Sequence, residues 1–149
     1  MWLYNFGLML YALAIRLVSP RYPKAKLWIE GRKNLFERMA DAIDPKARIV
    51  WIHVASLGEF EQGRPIIERL RKEYPEYKIL LTFFSPSGYE IRKNYSGVDY
   101  IFYLPIDTPS NARRFLDIAH PEIAIFVKYE FWINLLTELR HRSVRTYIV

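Results

Sequence analysis

RIVWIHVASLGEFEQGRPIIERL, residues 48–70, decides how this chain is read. Its first eight residues are apolar almost throughout and rich in β-branched side chains, the pattern of a strand buried on both faces. From 60 to 73 the apolar residues Ile66, Ile67 and Leu70 sit among charges, which predicts an amphipathic helix. A doubly buried strand followed by such a helix is one unit of a parallel sheet. The unit then repeats. Residues 78–84 (KILLTFF), 100–104, 122–127 (EIAIFV) and 144–149 read as further strands. Helices are expected over 87–94, with Ser87 as N-cap, and over 110–119 and 131–141. The fold class is α/β, a parallel sheet with helices on both faces.

In open sheets of this kind, ligands bind outside the carboxyl ends of the strands. That rule selects four loops. In the first, Ser56-Leu57-Gly58-Glu59 matches the S-x-x-E capping box, in which the Ser56 hydroxyl and the Glu59 carboxylate would each satisfy the other's backbone N–H. The same geometry suits a general base: a helix N-terminus favours the carboxylate, and Gly58 lets a ligand approach. Both readings stand at this point. The second loop, Ser85-Pro86-Ser87-Gly88, is either an ordinary helix-starting turn or an anion cradle of hydroxyls and backbone N–H groups. It is no P-loop, and no G-x-G-x-x-G occurs. The third is 105–109 (PIDTP). In the fourth, Lys128-Tyr129-Glu130, Lys128 and Glu130 form either a solvated ion pair or part of a site. In the second case Glu130 is a second carboxylate facing Glu59, because strands one and four are neighbours in the usual doubly wound order. Arg64 lies near enough to the first loop to touch an anion. His53, inside the first strand, reads as a satisfied core residue. No His/Asp/Glu spacing suggests a metal site.

The 149 residues suit one domain of ordinary size, and 51% are hydrophobic, enough for a sizeable core. Absence of cysteine excludes disulfides, a thiolate nucleophile and Cys-based zinc. The net charge of +6 favours anionic partners. It is spread along the chain, which argues against nucleic acid.

Residues 1–18 (MWLYNFGLMLYALAIRLV) carry a single charge, Arg16. As a helix they would run roughly 27 Å, just short of a ~30 Å hydrocarbon core. A signal peptide, a core helix and a membrane anchor, shallow or spanning, all fit this composition. The basic residues Arg16, Arg21, Lys24, Lys26, Arg32 and Lys33 favour the anchor, at the cytoplasmic face of the inner membrane. The expected division is an anchor helix over 1–19, a basic connector with one helix near 33–43 over 20–47, and the α/β domain over 48–149. The last residues, SVRTYIV, read either as a strand at a chain end or as a cut between two halves of a larger protein.

Several pieces together resemble the N-terminal half of the 3-deoxy-D-manno-octulosonic acid (Kdo) transferases: the apolar first segment, Gly31-Arg32, WIHVASLGE, TFFSPSG, YLPIDTP and KYEFWIN. Their order and spacing agree along essentially the whole chain. The resemblance implies a Rossmann-like domain forming half of a GT-B glycosyltransferase. This half would bind a lipid A precursor as acceptor, and the absent C-terminal half would carry most of the CMP-Kdo donor site. No metal or other cofactor is implied. By position Glu59 matches the general base and Glu130 a carboxylate that stabilises the transition state. Ser56, Gly58, Arg64, Ser85, Ser87, Gly88 and Lys128 are then candidates for substrate binding. Ile133, Phe83-Phe84 and Lys128-Tyr129 depart from the family pattern, which bears on acceptor detail. Another GT-B transferase, or a non-catalytic membrane-recruited anion-binding module, is the alternative.

Overall fold

The computed structural model describes residues 2–149. Five strands, β1 (Ile49–Val54), β2 (Lys78–Phe83), β3 (Tyr100–Tyr103), β4 (Ile123–Phe126) and β5 (Arg145–Ile148), form one parallel sheet in the order β3-β2-β1-β4-β5. β1 is central, with Trp51 opposite Leu80 of β2 and Ala124 of β4. Its six residues are all buried, and alternate side chains enter two different cores. Trp51 joins Leu80, Phe126, Phe115 and Leu135 on one face, whereas Val50, Ile52 and Val54 join Phe60, Ile67 and Phe83 on the other. This is why the strand is apolar without alternation.

The helices divide between the same faces. α3 (Leu35–Ala42), α6 (Pro109–Ala119) and α7 (Ile133–His141) cover the first core, and α4 (Leu57–Glu73) and α5 (Pro86–Arg92) cover the second. α4 begins at Leu57, three residues before the apolar periodicity would place it. Its first turn, Leu57-Gly58-Glu59, therefore stands at the carboxyl edge of β1.

Two expectations for the first 47 residues need correction. The connector holds two helices rather than one, α2 (Pro23–Glu30) and α3. Pro23 starts α2 because its missing N–H costs nothing at a first helical position. No described helix is long and apolar enough to cross a membrane, so the spanning form of the anchor is unsupported. α1 (Trp2–Val18) has 17 residues, a length of about 25 Å. It has no fully buried residue, yet it is fastened to the sheet domain. The Tyr4 hydroxyl donates to the Asp107 carboxylate at 2.6 Å, and Asn5 Oδ1 accepts from Asn134 Nδ2 at 2.8 Å. Trp2, Leu3, Phe6, Met9, Leu10, Leu13 and Leu17 remain exposed.

Candidate active site

Where β1 gives way to α4, Ser56 has extended backbone (φ −140°, ψ 175°) and occupies the N-cap position. The expected capping box is not formed. The Ser56 side chain makes no capping bond, and Glu59 reaches one residue further back, its Oε2 accepting from the Ala55 N–H at 2.5 Å. Glu59 is thus anchored through one oxygen. Its other oxygen and the Ser56 hydroxyl have no partner among the described residues. Gly58 is exposed and has ordinary negative φ; no atom lies within 4 Å of where its Cβ would stand. The conformational freedom of glycine is not needed at this position. What Gly58 contributes is open space beside Glu59.

Beneath this turn lies His53, completely buried at the end of β1. Its Nε2 accepts from the Trp132 indole N–H at 3.1 Å, and indole nitrogen can only donate. The proton of a neutral ring must then sit on Nδ1, which faces Thr82 Oγ1 at 2.9 Å. The same Thr82 oxygen accepts from the Trp51 indole at 2.8 Å. Burial pushes the His53 pKa below its ordinary value, against the opposing pull of Glu130 and Glu59, so the neutral form prevails. The 3.7 Å approach of Glu130 Oε2 to Nε2 is therefore not an ion pair at neutral pH.

The link between the two acids is physical. β1 and β4 are adjacent and parallel, so their carboxyl ends coincide. Lys128, just past β4, adopts left-handed backbone (φ 63°), an uncommon state for a side-chain-bearing residue, and there the chain turns. Glu130 then comes against His53 from one side, and Glu59 lies close enough to act on the same ring. Both carboxylates stand at one sheet edge, and each acts on the same buried imidazole.

The other candidates are placed less centrally. Ser85, not Ser87, caps α5: Ser85 Oγ accepts from the Ser87 N–H at 3.3 Å, and Ser85 O accepts from Gly88 and Tyr89. Those N–H groups are engaged within the turn, so of the two readings of this loop the structure shows the ordinary helix-starting turn. Gly88 is a packing glycine. It is buried, and a Cβ there would run into the Phe83 ring and stand 3.0 Å from Leu57 N. Ser87 keeps an exposed hydroxyl, hydrogen-bonded to Ser85 Oγ at 2.9 Å. Arg64 is engaged along α4, 3.1 Å from Glu61 and 3.6 Å from Glu68. Lys128 is exposed and makes no ion pair with Glu130; its backbone N–H donates to Val149 O at 2.7 Å.

Three residues of this edge were not singled out by sequence reasoning. Asp107, fully buried, accepts from the Asn134 and Leu135 backbone N–H groups at 2.9 and 2.8 Å, so a loop after β3 caps α7. Burial raises the pKa of its carboxyl group, and burial together with Asp107 raises that of the Tyr4 phenol. Asn134 bonds the Asp107 carbonyl and Asn5. Arg32 donates to Leu104 O (2.8 Å), Trp28 O (3.0 Å) and Phe84 O (2.9 Å), tying α2 to the ends of β2 and β3. The signal for Asp107 was its position in the PIDTP loop at the carboxyl edge. Nothing local marks the partners of Arg32.

Among the described residues no group of three or more His, Asp or Glu side chains could hold a metal ion. The arrangement can take a proton from a ligand at Glu59 and place a second negative charge, Glu130, beside it.

Comparison with known proteins identifies the family. Residues 33–149 match the family model described as 3-deoxy-D-manno-octulosonic-acid transferase (kdotransferase). The 3-deoxy-D-manno-octulosonic acid transferase of Haemophilus influenzae is 32% identical over 130 residues, which cover 85% of this chain and 28% of that protein. The Aquifex aeolicus enzyme of the same name is 40% identical over 88 residues, covering 58% and 24%. That of Chlamydia trachomatis is 27% identical over 124 residues, covering 82% and 29%. The match thus spans 24–29% of the length of these relatives. A buried β1 leading into a carboxylate-bearing helix start, the second acid at the end of the adjacent β4, and a family match over residues 33–149 lead to one conclusion: this chain belongs to the Kdo transferase family and forms its N-terminal domain.

Proposed function

We propose that the chain is the acceptor-binding half of a GT-B glycosyltransferase that moves Kdo from CMP-Kdo to a lipid A precursor in lipopolysaccharide biosynthesis. The observation that carries this reading is the convergence of Glu59 and Glu130 on His53 at the carboxyl edge of β1 and β4. A sugar hydroxyl entering beside Gly58 meets the unbonded oxygen of Glu59, which takes its proton as the hydroxyl oxygen attacks the anomeric carbon of Kdo. The bond from that carbon to the CMP phosphate breaks, and CMP leaves with the electron pair. Glu130 offers negative charge where positive charge develops on the transferring sugar. Donor groups would come from the second half, so residues 1–149 alone should not turn over.

The exposed face of α1 fits a helix lying in the membrane interface, not one spanning it. Trp2 and Leu17 are each 73% exposed, and Arg16, Arg21, Lys24 and Lys26 follow on the same segment. Apolar residues would enter the acyl boundary and cations would meet acidic head groups, at the cytoplasmic face of the inner membrane.

The test is transfer by the complete enzyme, with CMP-Kdo and a tetra-acylated lipid A precursor, followed by mass spectrometry. Glu59→Gln keeps a group that can accept the Ala55 N–H but is not a base. Loss of a base of this kind lowers rate by about 10²–10⁴-fold. Wild-type rates in a folded Glu59→Gln enzyme would remove Glu59 from the chemistry. Absence of transfer by wild type would remove the proposed acceptor.

A further inference from the structure

Ten of the 22 lysines and arginines have a carboxylate within 4.0 Å, as Arg48 has Glu122, Arg71 has Asp99 and Arg142 has Asp117. Three that share one cleft have none among the described residues: Arg16 in the last turn of α1, and Arg32 and Lys33 just after α2. Trp28, Ile29 and Ile106 complete the walls. Arg32 is mostly buried. Its guanidinium lies 3.9 Å from the Trp28 ring centroid, and three of its five N–H groups are used on carbonyls. Rings and carbonyls orient a cation but bring no net negative charge. Burial lowers the Arg32 pKa to about 9, the response of a charge held away from water without a counter-ion. An anion bound from outside stabilises such a group.

The cleft opens into an apolar groove between α1 and the segment after β3, lined by Phe6, Met9, Leu10 and Leu13; Arg16 and Ile106 border both. A row of aromatic rings links it to the acid site. Trp28 packs on Phe84 (5.9 Å between centroids), Phe84 on Trp132 (4.6 Å), and Trp132 bonds His53. Cations at one end and an apolar trough at the other suit an amphiphile with a phosphoryl head. Two guanidinium groups and an ammonium match a dianionic phosphate monoester better than a single carboxylate.

We propose that Arg16, Arg32 and Lys33 form a phosphoryl-binding cleft that holds a phosphate group of an acylated ligand while a chain of that ligand lies in the α1 groove. The inference rests on the acceptor reading above and adds to it a determinant remote from the acids. The phosphate is assigned to the acceptor, and a bilayer phospholipid is the alternative that the test separates.

The test measures binding by the 149-residue chain, wild type and with Arg16→Glu or Lys33→Glu, both exposed positions whose change leaves the fold intact by circular dichroism. Arg16→Gln and Lys33→Gln serve if the reversals do not fold. Lys46→Glu, before β1 at the opposite sheet edge, controls for net charge. The probes are a phosphorylated tetra-acyl glucosamine disaccharide in zwitterionic bicelles, the same lipid with its phosphates removed, and phosphatidylglycerol vesicles. The expected result is at least tenfold weaker binding of the phosphorylated lipid by both cleft variants, none by the control, and no difference on the dephosphorylated lipid. Loss confined to phosphatidylglycerol would overturn the assignment of the cleft to the acceptor and give its phosphate to the bilayer, while binding of the phosphorylated lipid would leave the acceptor reading standing. Wild-type affinity in both cleft variants, or equal loss in Lys46→Glu, would overturn the cleft, and wild-type binding of the phosphorylated lipid would then leave the acceptor reading standing. Failure of the wild type to bind either phosphorylated probe would overturn both.

Discussion

Lowering the pH should weaken this domain through His53. In the native state its Nε2 accepts from Trp132, and no water reaches the ring. In the unfolded chain the imidazole has its ordinary pKa of 6.5. The native value is depressed, so the neutral ring contributes stability that is fully present above 6.5 and is lost as pH falls through the native pKa. If the ring stays neutral throughout, one-proton linkage between about pH 7.5 and pH 5.5 costs at most about 1.4 kcal/mol. Proton uptake at Nε2 would turn an acceptor into a donor. The Trp132 N–H would lose its partner, and the ring would pair instead with Glu130, already 3.7 Å away. The measurement is urea unfolding at several pH values, monitored by tryptophan fluorescence, for wild type and His53→Gln. Subtracting the two removes the contributions of His120, His141 and the carboxylates. A difference curve falling by about 1 kcal/mol over that interval fits the reasoning. A flat difference curve would show that His53 is already protonated or solvated in the native state, and the assigned tautomer would be wrong.

Other consequences can be checked in parallel. A Cβ at position 31 would collide with the Tyr103 ring, which is stacked on Tyr89 at 4.1 Å and faces Arg32. Gly31→Ala should therefore lower stability by about 1–3 kcal/mol, and Tyr103→Leu in the same chain should recover part of the loss; simple additivity of the two would refute the clash. Asp107→Ala leaves two helix N–H groups of α7 without an acceptor, for a loss of about 2–5 kcal/mol in urea unfolding. Because burial raises the Asp107 pKa, its contribution is largest below the ordinary carboxylate range and declines as pH rises, so the penalty should be greater at acid than at neutral pH. Leu10→Glu, on an exposed turn of α1, should abolish flotation of the chain with anionic vesicles without changing its circular dichroism; unchanged flotation would mean that α1 does not enter the interface.

Unlike supports hold the two acids. Glu59 rides on the first turn of a long helix and is fixed through Ala55, whereas Glu130 sits in a short excursion held by the Lys128 turn and Trp132. Trp132 is the shared part: it begins α7, packs on Phe84 at the end of β2, and fixes the ring of His53. A change at Trp132 therefore reaches Glu130, His53 and the aromatic wall of the phosphoryl cleft together.

What the sequence determined by itself is the scaffold and the location of the candidate site. β1, β2 and β4 are buried nearly throughout and leave no solvent face to mark with polar residues, so continuous apolar runs betrayed them, whereas β5 is exposed along its length; helical spacing betrayed α4, α6 and α7. Parallel strands put their carboxyl ends on one edge, which made Glu59 and Glu130 candidates for a shared site before any coordinates were in hand. What only the tertiary structure decided are the interactions that join residues far apart in the chain. The Glu59 carboxylate met Ala55 rather than Ser56, and Ser85 rather than Ser87 capped α5, because such bonds turn on tenths of an ångström in backbone path. His53 became a neutral acceptor through Trp132, 79 residues away, and Asp107 a cap for α7 through loop placement alone. α1 illustrates the division most clearly. Its composition says only that it shuns water, while the bonds of Tyr4 and Asn5 to Asp107 and Asn134 fasten it to the domain and leave its other face bare. Local composition records how much apolar surface must be covered; which partner covers it is a property of the folded chain.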